Sequence, residues 1–156
     1  MTSLTIVPMT PDDLSAVMAI ETVSFTVPWT EEDFRAMLAQ PQTVMLCAKN
    51  AEGTICGYVG YMGVMETGDI LNVAVHPDFR RQNIGRLLMQ AAHSDAAERG
   101  VEDMLLEVRE SNLSAIALYQ SLGFYEAGRR RRFYRNPSED ALVMLLDVEM
   151  SEKNIE

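Results

Sequence analysis

The chain has 156 residues and a formal net charge of −10, from 23 acidic and 13 basic residues. That length suits one domain with a core of its own, and 47% apolar content with an ordinary charged fraction excludes a disordered or collagen-like chain. Cys47 and Cys56 are too few for a disulfide framework, and neither His76 nor His93 has a neighbouring Cys/His pattern, so no metal site is expected. The N-terminus lacks a basic stretch followed by a long apolar one, so no signal peptide is expected. The apolar run Ala141–Leu146 is too short to span a bilayer. A reducing cytoplasm is the expected home.

Leu4 to Pro8 reads as a first strand. Thr10-Pro11-Asp12-Asp13 starts a helix, with Thr as cap, Pro in the first turn and two acids at the positive dipole end. Leu14, Val17, Met18 and Ile20 give it an apolar face. Phe25 to Trp29 is a loop. Thr30-Glu31-Glu32-Asp33 resembles a capping box, with Asp in the place of Glu or Gln. The helix that follows buries Phe34, Met37 and Leu38 and ends before Pro41. Val44–Lys49 and Ile55–Met65 are antiparallel strands joined by a turn at Asn50-Ala51-Glu52-Gly53. Gly57, Gly60 and Gly63 thin the second of them, permitting a bulge or a close ligand.

Glu66-Thr67-Gly68 turns the chain into a central strand at Asp69, which Pro77 ends. Beyond a basic turn, Ile84, Leu87, Leu88, Ala91 and Ala92 fall at helical spacing, and Gly100 stops that helix. Asp103–Arg109 is a second strand, so the stretch is a βαβ unit whose strands are parallel and whose crossover is right-handed. The turn sits at the helix mouth, where unpartnered N–H groups and the dipole favour a phosphate. Arg80, Arg81 and Arg86 add positive charge, and Gly85 allows close approach. The residues alone also fit solvated arginines and a glycine that only eases packing.

In the second strand, alternation puts Leu105, Glu107 and Arg109 on one face. A carboxylate there must be solvated or paired, and a Glu107–Arg109 ion pair is the plain structural expectation. Asn112 caps a helix from Leu113 to Leu122, ended by Gly123. Tyr119 shares the buried-side face of Ile116 and Ala115. Phe124 to Arg129 is another strand, Arg130 to Arg135 a basic turn, Asn136-Pro137-Ser138 a second turn, and Ala141–Val148 the last strand. Glu149–Glu156 is expected to fray. Three of the 13 basic residues lie at Arg80, Arg81 and Arg86 and five at Arg129–Arg132 and Arg135, leaving 5 against all 23 acids. An acidic surface with two basic patches suits an anionic cofactor and a cationic protein substrate, or serves solubility alone.

Arg80-Arg81-Gln82-Asn83-Ile84-Gly85 resembles the Gln/Arg-x-x-Gly-x-Gly/Ala loop of the GCN5-related N-acetyltransferase (GNAT) superfamily, with Asn83 where the first Gly is usual. Asn adopts the left-handed conformation more readily than most residues. The resemblance continues through Leu106–Asn112 and Ala115–Phe124, and these segments together are similar to the RimI family of ribosomal-protein-alanine N-acetyltransferases. The likeness runs from Pro28-Trp29-Thr30 to about Leu146.

The resemblance implies an α/β fold with a mixed, mostly antiparallel sheet, a central splayed parallel strand pair and flanking helices. It implies one N-acetyltransferase domain over residues 1–150, with 151–156 a frayed tail. Acetyl-CoA is the implied acetyl donor and no metal takes part. Its arm would lie along Val73, Ala74 and Val75, its phosphates on Arg80, Arg81, Gln82, Asn83, Ile84, Gly85 and Arg86, with Asn112 also in contact. Glu107 is the implied general base and Tyr119 the general acid; Trp29 would line the substrate groove and Tyr134 hold the substrate backbone. The implied reaction is direct acetyl transfer to a protein N-terminus, the alanine of ribosomal protein S18. Acceptors of the lysine or small-amine class, or a non-catalytic acetyl-CoA-binding domain, are the alternatives. A monomer is expected, with no stable nucleic-acid binding and no membrane association.

Overall fold

The computed structural model describes residues 3–148, so the expected fraying of Glu149–Glu156 lies outside the described residues. The strands are β1 (Leu4–Pro8), β2 (Thr43–Asn50), β3 (Ile55–Val64), β4 (Thr67–Val75), β5 (Asp103–Arg109), β6 (Tyr125–Tyr134) and β7 (Glu139–Asp147). The α-helices are α1 (Leu14–Ser24), α2 (Glu31–Leu38), α3 (Ile84–Glu98) and α4 (Leu113–Ser121). Hydrogen-bonded strand order is β1-β2-β3-β4-β5-β7-β6, and β4 with β5 is the parallel pair. Two compact units share these elements. One comprises the residues up to Met62 with Leu71–Ala92, the other Gly63–Ile70 with the residues from His93 onward.

In the first unit, β1, β2 and β3 form an antiparallel meander. Its core gathers Leu14, Val17, Ile20, Phe34, Met45, Cys47, Tyr58 and Ala74. Both helix starts follow from local chemistry. Thr10 N–H donates to Asp13 Oδ2 at 2.8 Å ahead of a single 3₁₀ turn, Pro11–Asp13. At α2 the capping box closes, with Asp33 N–H on Thr30 Oγ1 at 3.1 Å and Thr30 N–H on Asp33 Oδ2 at 2.8 Å. Gly57 sits where the β2–β3 register shifts, Ala48 pairing with Gly57 and Lys49 with Ile55, and a Cβ on it would lie 2.7 Å from the Ala74 carbonyl oxygen. It is small because β4 passes close by.

In the second unit, Thr67, Gly68 and Asp69 stand in parallel register with Asp103, Met104 and Leu105. β5 also pairs antiparallel with β7, and β7 with β6. β5 alternates as expected: Met104, Leu106 and Val108 are buried, while Leu105, Glu107 and Arg109 occupy the other face. Gly100 and Gly123 follow α3 and α4 with φ of +84° and +103°, as helix-ending glycines do.

Three expectations need correcting. The central strand begins at Thr67, so Thr67-Gly68 is strand and not turn. Arg130–Tyr134 is not a turn: β6 runs through the arginines, exposed along almost its whole length, and the turn follows at residues 135–138. A strand paired on one side only, with neither face covered, carries no apolar alternation to betray it. Leu87 is exposed while Met89 takes its place in the buried face of α3. Met18 is half-buried and packs against the core as an apolar-face residue should, and Glu21 of the same helix is buried.

Candidate active site

The residues singled out by sequence fall into two groups, one in each unit. The first unit holds Trp29, Val73–Val75 and the loop from Arg80 to Arg86. Asn83 is left-handed at φ +63° and Arg81 at +65°. The Asn83 carbonyl accepts the first helical bond, from Leu87 N–H at 3.0 Å. The first N–H groups of α3, those of Ile84 and Gly85, therefore have no partner within the helix, and left-handed loop residues turn further N–H groups to one side, as anion-binding nests do. With Arg80, Arg81 and Arg86 around it, this loop fits a pyrophosphate, and Asn supplies there the backbone shape for which Gly is usual.

The Trp29 ring packs on Phe34 with centroids 5.2 Å apart, and its backbone N–H donates to Glu21 Oε2 at 2.8 Å. Glu21, 1% exposed, is the largest surprise in this unit. Besides Trp29 its carboxylate accepts from the Tyr58 hydroxyl and from Asn72 Nδ2 at 2.5 Å. Burial pushes its pKa up despite these donors. A signal was available: Leu14, Val17 and Glu21 follow at intervals of three and four, so Glu21 sits on the apolar face of α1.

The second unit holds Glu107, Asn112, Tyr119 and Tyr134. Asn112 caps α4, its Oδ1 accepting from Ala115 N–H at 3.3 Å. Glu107 does not pair with Arg109. Its Oε1 lies 3.4 Å from Arg130 Nε, whereas Arg109 turns to the hairpin beyond β6. There Arg109 donates to the carbonyls of Arg135 (2.7 Å) and Pro137 (3.1 Å) and to Glu139 Oε1 (3.2 Å), and covers the Tyr134 ring at 4.5 Å. Arg109 thereby fixes Tyr134. Burial raises the Glu107 pKa, and the charge of Asp69 raises it further, against Arg130. Tyr119 is buried, its ring edge-on to Phe124 at 5.9 Å. Burial, then the neighbouring Tyr134 phenol, pushes its phenol up to about 12. Tyr134 reaches about 12 as well, through burial and then Glu107. Asp69, Arg109 and Arg130 are not among the site residues the sequence suggests; strand alternation around Glu107 points to Arg109, whereas Asp69 reaches that face only through the β4–β5 register.

Neither cysteine is a candidate nucleophile: Cys47 is fully buried and its thiol pushed up to about 12 by burial, and Cys56 is buried and raised too. Among the described residues, no cluster of three or more His, Cys, Asp or Glu could hold a metal ion, and no helix is long and apolar enough to cross a membrane.

In the first unit the loop suits a phosphorylated ligand, and in the second the raised carboxylate of Glu107 suits a proton acceptor. The model of the Acetyltransferase (GNAT) family matches residues 14–124, and the chain belongs to that family, within it to the RimI family of N-acetyltransferases. It is 36% identical over 140 residues to the [ribosomal protein bS18]-alanine N-acetyltransferase of Escherichia coli (strain K12), covering 88% of this chain and 93% of that one. It is 36% identical over 124 residues to the N-alpha-acetyltransferase RimI of Mycobacterium tuberculosis (strain ATCC 25618 / H37Rv), covering 77% and 76%. The crystal structure of the ribosomal-protein-S18-alanine N-acetyltransferase from Escherichia coli superposes with a TM-score of 0.87 at 34% identity, over 94% of each chain.

Proposed function

We propose that this acetyltransferase acetylates the α-amine of a protein N-terminus, the alanine of ribosomal protein S18, with residues 1–150 acting as one domain. The observation that carries this reading is the 36% identity to the bS18-alanine enzyme along 88% of the chain. The protein works in the cytoplasm as a monomer, without stable attachment to nucleic acid or membrane.

Acetyl-CoA supplies the acetyl thioester when bound. Arg80, Arg81 and Arg86, with the N–H groups of the Gln82–Gly85 loop, would hold its phosphates. Val73, Ala74 and Val75 would offer backbone partners to its amide-bearing arm, and Asn112 a further contact. Backbone N–H groups at the end of β4 would polarise the thioester carbonyl.

Glu107 takes the proton of the incoming ammonium, directly or through water. An α-amine (pKa ~8) is freed at about 3 kcal/mol less cost than a lysine side chain (pKa ~10.4). A carboxylate held above its ordinary 4.5 is the better acceptor. Trp29 lines the groove for the substrate's first residues, and Tyr134, fixed by Arg109, holds their backbone. Tyr119 faces the departing sulfur. At about 12 its phenol stays protonated throughout the working range. Complete proton transfer to a thiolate of conjugate pKa ~8.5 is then uphill by roughly 5 kcal/mol. The hydroxyl therefore acts chiefly as a hydrogen-bond donor to the developing negative charge.

Mass spectrometry of a free Ala-starting S18 peptide incubated with enzyme and acetyl-CoA should show a single acetyl group on the α-amine. The same peptide blocked at its N-terminus but carrying lysine should remain unmodified; acetylation of lysine alone would overturn the substrate assignment. The cofactor loop has its own test. Asn83→Val places a β-branched residue at φ +63°, a strain of about 1–2 kcal/mol, so titration calorimetry should find acetyl-CoA bound some tenfold more weakly. Unchanged affinity would remove the loop's shape from donor binding.

A further inference from the structure

We propose that Asp69 is a positioning residue for the reaction, a second carboxylate of the amine-receiving site that acts through Glu107 and draws the substrate's ammonium towards it. This rests on the reading of Glu107 as the base. The geometry is that of the parallel pair. Asp69 of β4 is in register with Leu105 of β5, and Leu105 and Glu107 share a face. Residues paired across neighbouring strands point to the same side, so Asp69 and Glu107 stand on one face, one strand across and two residues along. That separation is about 8 Å between Cα atoms, close enough for their charges to act on each other through a half-buried environment.

The charge on this face does not balance. Asp69 and Glu107 are both half-buried. Arg130 is the cation that acts on both, and its side chain, 3.4 Å from Glu107, is 55% exposed. Arg109, the other nearby guanidinium, is engaged with Glu139, the hairpin carbonyls and the Tyr134 ring. Tyr119 and Tyr134 contribute no charge, because burial keeps both phenols protonated at working pH. Two carboxylates therefore share one exposed cation. A substrate ammonium supplies the missing positive charge, and it is also the group whose proton Glu107 must take. Burial raises both carboxyl groups, and the charge of Asp69 raises Glu107 further; the positive charge of an entering ammonium opposes both effects.

The test is steady-state kinetics of the full chain with an Ala-starting peptide and acetyl-CoA between about pH 5 and 9, folding being checked by thermal melts. Asp69→Asn is expected to raise the peptide KM about tenfold, leave the acetyl-CoA KM unchanged, and move the acid limb of kcat/KM to lower pH. Asp69→Glu should restore both quantities towards the parent. Should Asp69→Asn fold poorly, Asp69→Ser carries the same expectations. A peptide KM and an acid limb both as in the parent would overturn the proposal. Glu107→Gln separates the two readings: if it is inactive while Asp69→Asn matches the parent, only the role of Asp69 falls. If Glu107→Gln is fully active, the base assignment falls and Asp69 falls with it.

Discussion

Glu107→Gln is expected to lower turnover by two to four orders of magnitude, about the contribution of a positioned general base, while acetyl-CoA binds as before. The substitution is nearly isosteric and leaves the buried side of β5, Met104, Leu106 and Val108, untouched. It costs the pairing with Arg130, whose side chain is 55% exposed, and exposed pairs contribute about 0–1 kcal/mol. The fold should therefore survive and the chemistry should not. The pH profile adds a second reading. Glu107 is raised above its ordinary value by burial and then by Asp69, so the parent loses kcat/KM as pH falls through that raised value. The Gln variant's residual rate should lack this limb. Mass-spectrometric turnover beside calorimetric acetyl-CoA binding decides the matter. Turnover within threefold of the parent would take Glu107 out of the base role.

Glu21→Ala should strongly destabilise the first unit. It strands three donors at once, the Tyr58 hydroxyl, the Asn72 amide and the Trp29 backbone N–H, around a side chain that is 1% exposed. Unmet buried donors cost about 1–3 kcal/mol each, and repacking or water entry recovers part, so a loss of about 3 kcal/mol or more is expected in urea unfolding. Glu21→Gln keeps the size but turns an amide N–H₂ towards donors, so an intermediate loss is expected. The sign of the pH effect is unusual for a carboxyl group. Burial raises the folded pKa of Glu21 above the ordinary 4.5, so the folded state holds the proton more tightly than the unfolded chain. That contribution is present below the unfolded pKa and is lost as pH rises through the folded one. The Gln variant should lack this slope. A variant as stable as the parent would show that the three donors find other partners.

Much of the fold was legible because its signals are local. Thr30 and Asp33 are three residues apart, Asn112 and Ala115 likewise, and Gly100 and Gly123 mark helix ends by their own backbone. The loop from Arg80 to Gly85 was legible as a motif, and the left-handed Asn83 fits what that motif requires. What could not be read is long-range. The partners of Glu21 lie 8, 37 and 51 residues away, and no spacing rule links an acid on α1 to a tyrosine on β3 and an asparagine on β4. The partner of Glu107 is hidden for the same reason. Arg109 is two residues off and on the same face, but the β6–β7 hairpin captures it and delivers Arg130 instead. Four consecutive arginines look like a solvated turn, which hides the continuation of β6 past Arg129.

Those arginines have a consequence for how copies of the protein meet. β6 is the last strand in the order, paired to β7 alone, and such a border offers unfilled backbone donors and acceptors to any passing strand. Here the border carries Arg129–Arg132, its register breaks between Arg130 and Tyr134, and Arg132 takes a left-handed φ of +50°. A second molecule approaching border to border would meet like charge and a ladder that does not run straight. The same run that supplies a counter-ion to Glu107 thus also discourages chains from stacking into an extended sheet at the concentrations of a crowded cell.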